Sequence, residues 1–262
     1  MVYSSEELFE RKGLGGSSHG STITEGSDGT LYAVWYSGSK EKAKDIKIYM
    51  SKKAPNESWA TPWLIEKEGI TSKNPFITGD EDPDELAELE NEETSEGNPV
   101  IFCDQTNGRL FLMWVTMRGA GDRSGWSACI VKFKHSDDNG KNWTKPRVIR
   151  DMIGWMTRNK PIWLSNGDLL WPIMAEFTSA QSMFYRISRK ELDNGAEECV
   201  IQEPDAFITG DVLQPSIVEN EKGKLFCVMR TTEKTLNCPH LIATSRSDDF
   251  GHSWSVITPT KE

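Results

Sequence analysis

Ser136 to Trp143 reads SDDNGKNW, and Ser247 to Trp254 reads SDDFGHSW. Both are Ser-x-Asp-x-Gly-x-x-Trp at one internal spacing. A turn written twice with four fixed positions implies a repeated structural unit. Asp accepts hydrogen bonds from turn amides, Gly takes a φ that other residues avoid, and Trp is a large apolar plug for a gap between units. Asp138 and Asp249 therefore read as structural residues. A degenerate copy, SKKAPNESW from Ser51 to Trp59, lacks the Asp and the Gly.

Around these turns a second pattern recurs. SDGTLYAVW (27–35), TNGRLFLMW (106–114), SNGDLLWPI (165–173) and EKGKLFCVM (221–229) each open on a polar turn with Gly and run into a strand-forming apolar segment. A shorter apolar strand precedes each: GSTITE, NPVIF, KPIWL and QPSIVE. Gly108 to Gly167 spans 59 residues and Gly167 to Gly223 spans 56. A unit of three or four antiparallel strands at that period is the blade of an all-β propeller. A generic β-sandwich accounts for the short strands but not for the repeated turn.

The 262 residues carry a formal charge of −10. The stretch from Gly79 to Gly97 holds ten carboxylates and no Lys or Arg, and without it 30 acidic residues face 30 basic ones. It reads as an acidic, mobile insertion at 79–97 in an otherwise balanced domain at 15–262, after an N-terminal segment at 1–14. No basic face invites nucleic acid, and no apolar run nears the ~20 residues of a membrane helix. The N-terminus has no apolar leader, and the 5 cysteines are scattered and odd in number. A cytoplasmic protein without disulfides, metal or cofactor is expected.

In a propeller the inner strand of each blade lines the axis. The residues leading those strands are Ser18-His19-Gly20, Gly97-Asn98, Arg158-Asn159-Lys160 and Leu213-Gln214, a polar ring that suits a sugar and that a core does not require. Glu176 and Arg230 close two of the hairpins. Trp35-Tyr36 and Trp114 close the other two and are expected as aromatic walls.

The order HGSTI, DGTLYAVWYSGSKEK, EGNPVIF, RNKPIWL, LQPSIVE, MRTT and ATSRSDDFGHSW resembles the sialidase superfamily, in particular its BNR/Asp-box repeat proteins, over roughly 15–257. The resemblance implies a six-bladed propeller that removes terminal sialic acid. In that family three arginines hold the substrate carboxylate, a Tyr assisted by Glu attacks, and an Asp handles the proton. Carried over, Arg230 matches the second arginine, but the assisting Glu is Gln214 here, which cannot act as a base. The first arginine falls at His19-Gly20-Ser21, and Glu41 lies near the acid/base loop. The third arginine and the Tyr would follow Trp254. At the observed period only four to five blades fit, so a fragment, another closure, or an oligomer that completes the ring is expected.

Three readings stay open, and a glycan or sialoside is the partner of each. One is a sialidase-like glycoside hydrolase releasing a terminal acidic sugar, with Glu41, His19 and Glu176 handling protons. Arg230, Arg158, Gln214, Asn98, Lys160 and Tyr36 would bind the substrate. Another is a non-catalytic carbohydrate-binding propeller, which Gln214 favours. The third is an exo-acting enzyme on another uronate-containing glycan, since a fold does not fix a function.

Overall fold

The computed structural model describes residues 6–8, 16–66, 94–118, 126–149, 154–176, 179–235 and 240–260. The apolar runs predicted as strands form four antiparallel sheets. The first is β1 (Ser17–Glu25), β2 (Leu31–Gly38), β3 (Lys47–Lys53) and β4 (Trp63–Glu66). The second is β5 (Thr94–Cys103), β6 (Leu110–Arg118), β7 (Cys129–Ser136) and β8 (Arg147–Val148). In the third, β9 (Trp155–Thr157) and β10 (Ile162–Trp163) share the inner edge of β11 (Leu169–Glu176), followed by β12 (Ala180–Ile187) and β13 (Phe207–Ile208). The fourth is β14 (Val212–Glu221), β15 (Lys224–Thr231), β16 (Ile242–Ser247) and β17 (Thr258–Pro259). The arrangement is a four-bladed sialidase-type propeller array.

Strands of a blade are covered on both faces, so β2, β6 and β11 read as unbroken apolar runs rather than alternating ones. Three apolar clusters join the blades in chain order. Ile48, Met50, Leu112 and Trp114 bind the first to the second, Phe111, Phe133, Trp171 and Tyr185 the second to the third, and Leu170, Phe184, Cys227 and Met229 the third to the fourth. Among the described residues no such cluster joins the fourth blade to the first.

The repeated turns stand between the third and fourth strands of the second and fourth blades. The Asp138 carboxylate accepts from Ser136 Oγ at 2.9 Å and the Asn142 amide at 2.8 Å, while Gly140 N–H donates to Ser136 Oγ. Asp249 repeats the set with Ser247 Oγ at 2.7 Å and the Ser253 amide at 2.9 Å. These bonds favour the charged form and hold both carboxyls near pH 2, Asp249 against some burial. Trp254 stacks on Phe184 of the preceding blade, ring centroids 4.7 Å apart, as expected of a plug between units. In the third blade the same place holds a short helix, α1 (Arg189–Asp193), capped by Ser188.

The acidic stretch ends differently from expectation. Residues 67–93 lie outside the described residues, as do most of the first 14, but Thr94–Gly97 belong to β5 and Glu96 is 3% exposed. Register explains it: Glu96 pairs with Thr116, beside Trp114 and Lys132. Its carboxylate accepts from Trp114 Nε1 at 2.7 Å and Thr116 Oγ1 at 2.8 Å, and Lys132 Nζ lies 3.4 Å away. Lys132 is fully buried over the Trp114 ring. Trp114, expected as a sugar-facing wall, is therefore core, and so is Trp35, 3% exposed and stacked on Tyr49.

Removing one partner of a buried ion pair strands the other charge and costs about 3–5 kcal/mol. Glu96→Ala is expected to lose about that much in urea unfolding. The double variant Glu96→Ala/Lys132→Met should recover most of it, and equal losses in both would show that the ion pair is not the cause.

Candidate functional site

Every inner strand breaks at one height. Register shifts fall between His19 and Thr22 in β1, Gly97 and Val100 in β5, and Leu213 and Ser216 in β14, and the third blade is interrupted outright between β9 and β10. Gly20 (φ 64°), Asn98 (φ 44°) and Gln214 (φ 55°) take the left-handed conformation there. Pro99, Pro161 and Pro215 sit in three of the breaks and cannot donate to a ladder. A bulge re-aims the side chains beside it. Here three bulges, and the gap between β9 and β10, turn the leading residues of the four inner strands toward the axis.

They meet in a cavity of about 720 Å³. Of the nine residues expected at a site, His19, Tyr36, Glu41, Asn98, Arg158, Glu176, Gln214 and Arg230 line it. Lys160 does not: it lies beyond Arg158 on the kinked segment and lines a separate cavity of about 530 Å³. Trp126, Asp211, Glu233 and Lys234 line the main cavity without having been expected. Trp126 carried no motif; it comes from a short 3-10 turn and packs where Gly97 leaves room, since a Cβ there would stand 3.0 Å from its ring. Asp211 follows Gly210 at a left-handed turn, with its carboxylate accepting from the Ala180 amide.

His19 stacks on Tyr36 with ring centroids 5.8 Å apart, because the two residues are cross-strand partners. Gly20 is required beside them, as a Cβ would come within 2.6 Å of the Tyr36 ring. Burial, with help from Glu41 and against the pull of Arg158, pushes the Tyr36 phenol up to about 12, so it keeps its proton and donates. Glu176 is raised from the ordinary carboxylate value mainly by burial, with Arg230 and Lys42 opposing. Among the described residues, Arg158, Arg230, Glu41 and Glu176 make no side-chain hydrogen bond or ion pair. Four charged groups thus face one cavity without partners, an arrangement that is costly where charge lies next to apolar walls and that marks a candidate site. The described residues hold no cluster of His, Cys and carboxylates fit for a metal, and no helix long and apolar enough to cross a membrane. Cys103, Cys129, Cys199 and Cys227 are buried thiols without a disulfide, while Cys238 lies outside the described residues.

Residues 29–261 match the family described as BNR repeat-like domain. No curated protein matches the chain. Similar solved structures include the Hadza microbial sialidase Hz136, with a TM-score of 0.63 and 16% identity over 91% of this chain and 46% of that one. The NanB sialidase from Streptococcus pneumoniae gives 0.66 and 12% over 98% and 54%. The intramolecular trans-sialidase from Ruminococcus gnavus gives 0.67 and 13% over 98% and 73%. The likeness is one of fold, and the chain spans about half the length of the first two.

The raised pKa of Glu176 fixes the sign of a pH effect. The native state holds its proton more tightly than the unfolded chain does, so stability falls as pH rises from 4.5 through the folded value. The difference in Tm between Glu176→Gln and the unmodified chain is expected to grow in favour of Gln across that window and then level off. A difference independent of pH would show that Glu176 is not perturbed.

Proposed function

The chain belongs to the BNR repeat-like domain family, and on that footing we propose that it is a sialidase-like glycoside hydrolase acting on a terminal acidic sugar of a glycoconjugate. The observation that carries this reading is the pair of unpartnered guanidinium groups, Arg158 and Arg230, in a pocket that also holds two unpartnered glutamates. A guanidinium fork meets a carboxylate with two parallel charge-assisted bonds, each of about 1.5–3 kcal/mol. Asn98 and Gln214 supply neutral donors and acceptors for hydroxyls. Trp126 and the His19–Tyr36 stack give flat walls for a pyranose ring.

For chemistry, an acid must protonate the departing oxygen and a base must receive the proton of the incoming water. Glu176, whose carboxyl burial shifts toward the protonated form against Arg230 and Lys42, suits the first role. Glu41, exposed at the pocket rim, suits the second. His19, stacked on the Tyr36 ring, has a nitrogen that can donate and one that can accept, and so can relay a proton within the pocket. The propeller is thus read as a scaffold whose bulges deliver both grip and proton transfer.

Gln214 favours a second reading. It occupies the bulge of the fourth blade inside the pocket and accepts no proton, and Tyr36 stays un-ionised, so the same cavity would bind a sugar without turning it over. An exo-acting enzyme on another uronate-containing glycan would use the same arginines on a different carboxylate.

Turnover of a fluorogenic sialic acid glycoside separates these. The expected result is measurable hydrolysis that falls in Arg230→Ala, with each charge-assisted bond lost lowering kcat/KM roughly 10- to 150-fold while the melting curve stays in place. Binding without hydrolysis selects the second reading. Unchanged kinetics in a folded Arg230→Ala protein would remove Arg230 from the site.

A further inference from the structure

The connection between β2 and β3 carries Glu41 to the pocket rim, and the next residue is strained. Lys42 takes φ 66°, a left-handed conformation that is an outlier for a long side chain and that surrounding contacts must enforce. Those contacts are present. Ser39 donates from its amide and its hydroxyl to Asp45, and the Ala43 and Ile46 amides donate to the carbonyls of Lys40 and Ala43. Ser95 Oγ, buried in β5, adds a bond to the Ala43 carbonyl at 2.9 Å. A turn of the first blade is thus fastened to the second blade one residue from Lys42.

Lys42 is half-buried and does not itself line the cavity. Its ammonium stands 6.0 Å from the centroid of the Trp126 ring, within reach of the ring's negative face. Trp126 does line the cavity, and it has little room on its other contact, since a Cβ on Gly97 would stand 3.0 Å from the ring. The charge of Lys42 also reaches Cys129 at the start of β7 and Glu176 at the end of β11. Three blades therefore meet at one lysine.

Glu176 makes no hydrogen bond, so charge at a distance is what acts on its carboxyl. The titratable and charged groups around it are Lys42, Arg230 and Cys129, with Arg158, Glu41 and Asp211 lining the same cavity. Its two opposing cations differ in station. Arg230 is exposed in the pocket, where a ligand's carboxylate would engage it, whereas Lys42 stands outside and keeps its charge whatever the pocket holds.

We propose that Lys42 is a positioning residue of the pocket, a fixed cation outside the cavity that braces the Trp126 wall and acts on the Glu176 carboxyl. When Glu176 releases its proton with Arg230 engaged by a ligand, Lys42 is the cation left to stabilise the carboxylate. The role rests on the reading of Glu176 as the acid, but the measurements that test it need no sugar, so either can fail without the other.

The first measurement is carbon-13 NMR titration of the Glu176 carboxyl in the intact chain, with its signal assigned by its loss in Glu176→Gln. The apparent pKa is expected to rise by at least about 0.5 in Lys42→Met, because losing a cation disfavours the carboxylate, and to stay within about 0.2 of the original in Lys42→Arg. The second is fluorine-19 NMR of the chain labelled with 5-fluorotryptophan, with Trp126 assigned through Trp126→Phe. The Trp126 resonance is expected to move in Lys42→Met and to return toward its original position in Lys42→Arg. Lys42→Gly, which the left-handed backbone favours, takes the place of the Met variant if that one does not fold. A Glu176 titration unchanged by loss of the lysine overturns the assignment, and so does a Trp126 resonance that does not move. Changes that Lys42→Arg fails to restore overturn it as well, since they would come from distortion of the turn and not from the missing charge.

Discussion

The structure depends on a break in the inner strand of each blade. A regular strand alternates its side chains between the two faces of its blade, and leaves nothing to point along the axis. The bulges at Gly20, Asn98 and Gln214, and the gap between β9 and β10, give each inner strand an axial residue. Non-glycine residues at positive φ cost on the order of 1–3 kcal/mol each, and a bulge leaves ladder groups without partners. Neighbouring blades supply those partners. Thr22 Oγ1 in the first blade donates to the Pro99 carbonyl at the second blade's bulge, and accepts from the Ile101 amide. Asn159 Nδ2 in the third blade donates to the carbonyls of Gln214 and Pro215 in the fourth, at 2.9 Å each. Even the Gln214 amide is taken up, by Met174 Sδ at 3.1 Å. Site geometry and blade docking are thus one set of bonds, so a substitution at Thr22 or Asn159 reaches the pocket without touching it.

Much of this was legible in the sequence. The repeated Ser-Asp-Gly-Trp turn gave the unit, and the four Gly hairpins placed the strands within it. Eight of the nine expected residues line one cavity, and all but Glu41 do so from equivalent positions before or at the end of equivalent strands; position in a repeat survives where pairwise contact cannot be read. Lys160 failed for a local reason: the third blade's inner strand is interrupted rather than bulged, and its longer kink carries Lys160 past the pocket. Trp35 and Trp114 failed for a different one. Strands covered on both faces lack the alternation that separates wall from core, and only register shows that Trp114 faces Glu96. Glu96 itself was hidden by its company, since nine neighbouring carboxylates made a tenth look solvated. Trp126, Glu233 and Lys234 come from connections between strands, where no periodicity guides the reader.

The buried Glu96–Lys132 pair and the open pocket place charge under opposite rules. Glu96 has a donor for each role: Trp114, Thr116 and Lys132 satisfy it on every accessible side. This is how a propeller carries charge that belongs to the fold. Arg109 follows the same rule at the seam between the second and third blades, donating to Asp137 at 2.6 Å and to the carbonyls of Leu192 and Asp193. Arg147 does so in part, donating to the Cys199 carbonyl at 2.8 Å while its Nε is buried without a partner. Against that background the unpartnered Arg158, Arg230, Glu41 and Glu176 are set apart by what the fold withholds from them.

The mixture of signs in the pocket narrows the chemistry further. A cavity built only to attract an anion would gather cations and exclude carboxylates, because each nearby acid weakens the field at the guanidinium groups. Here four carboxylates stand beside three cations. Asp211 is accounted for by the Ala180 amide and holds a turn in place. Glu176 and Glu41 have no such structural use, and burial moves Glu176 toward its neutral form, which is the form that leaves Arg230 free to hold a ligand's charge. Protonating Glu176 and binding an anion at Arg230 therefore favour each other. On the proposed reading, that coupling would tie recognition of an acidic sugar to the proton its cleavage needs, within a single pair of side chains at the ends of β11 and β15.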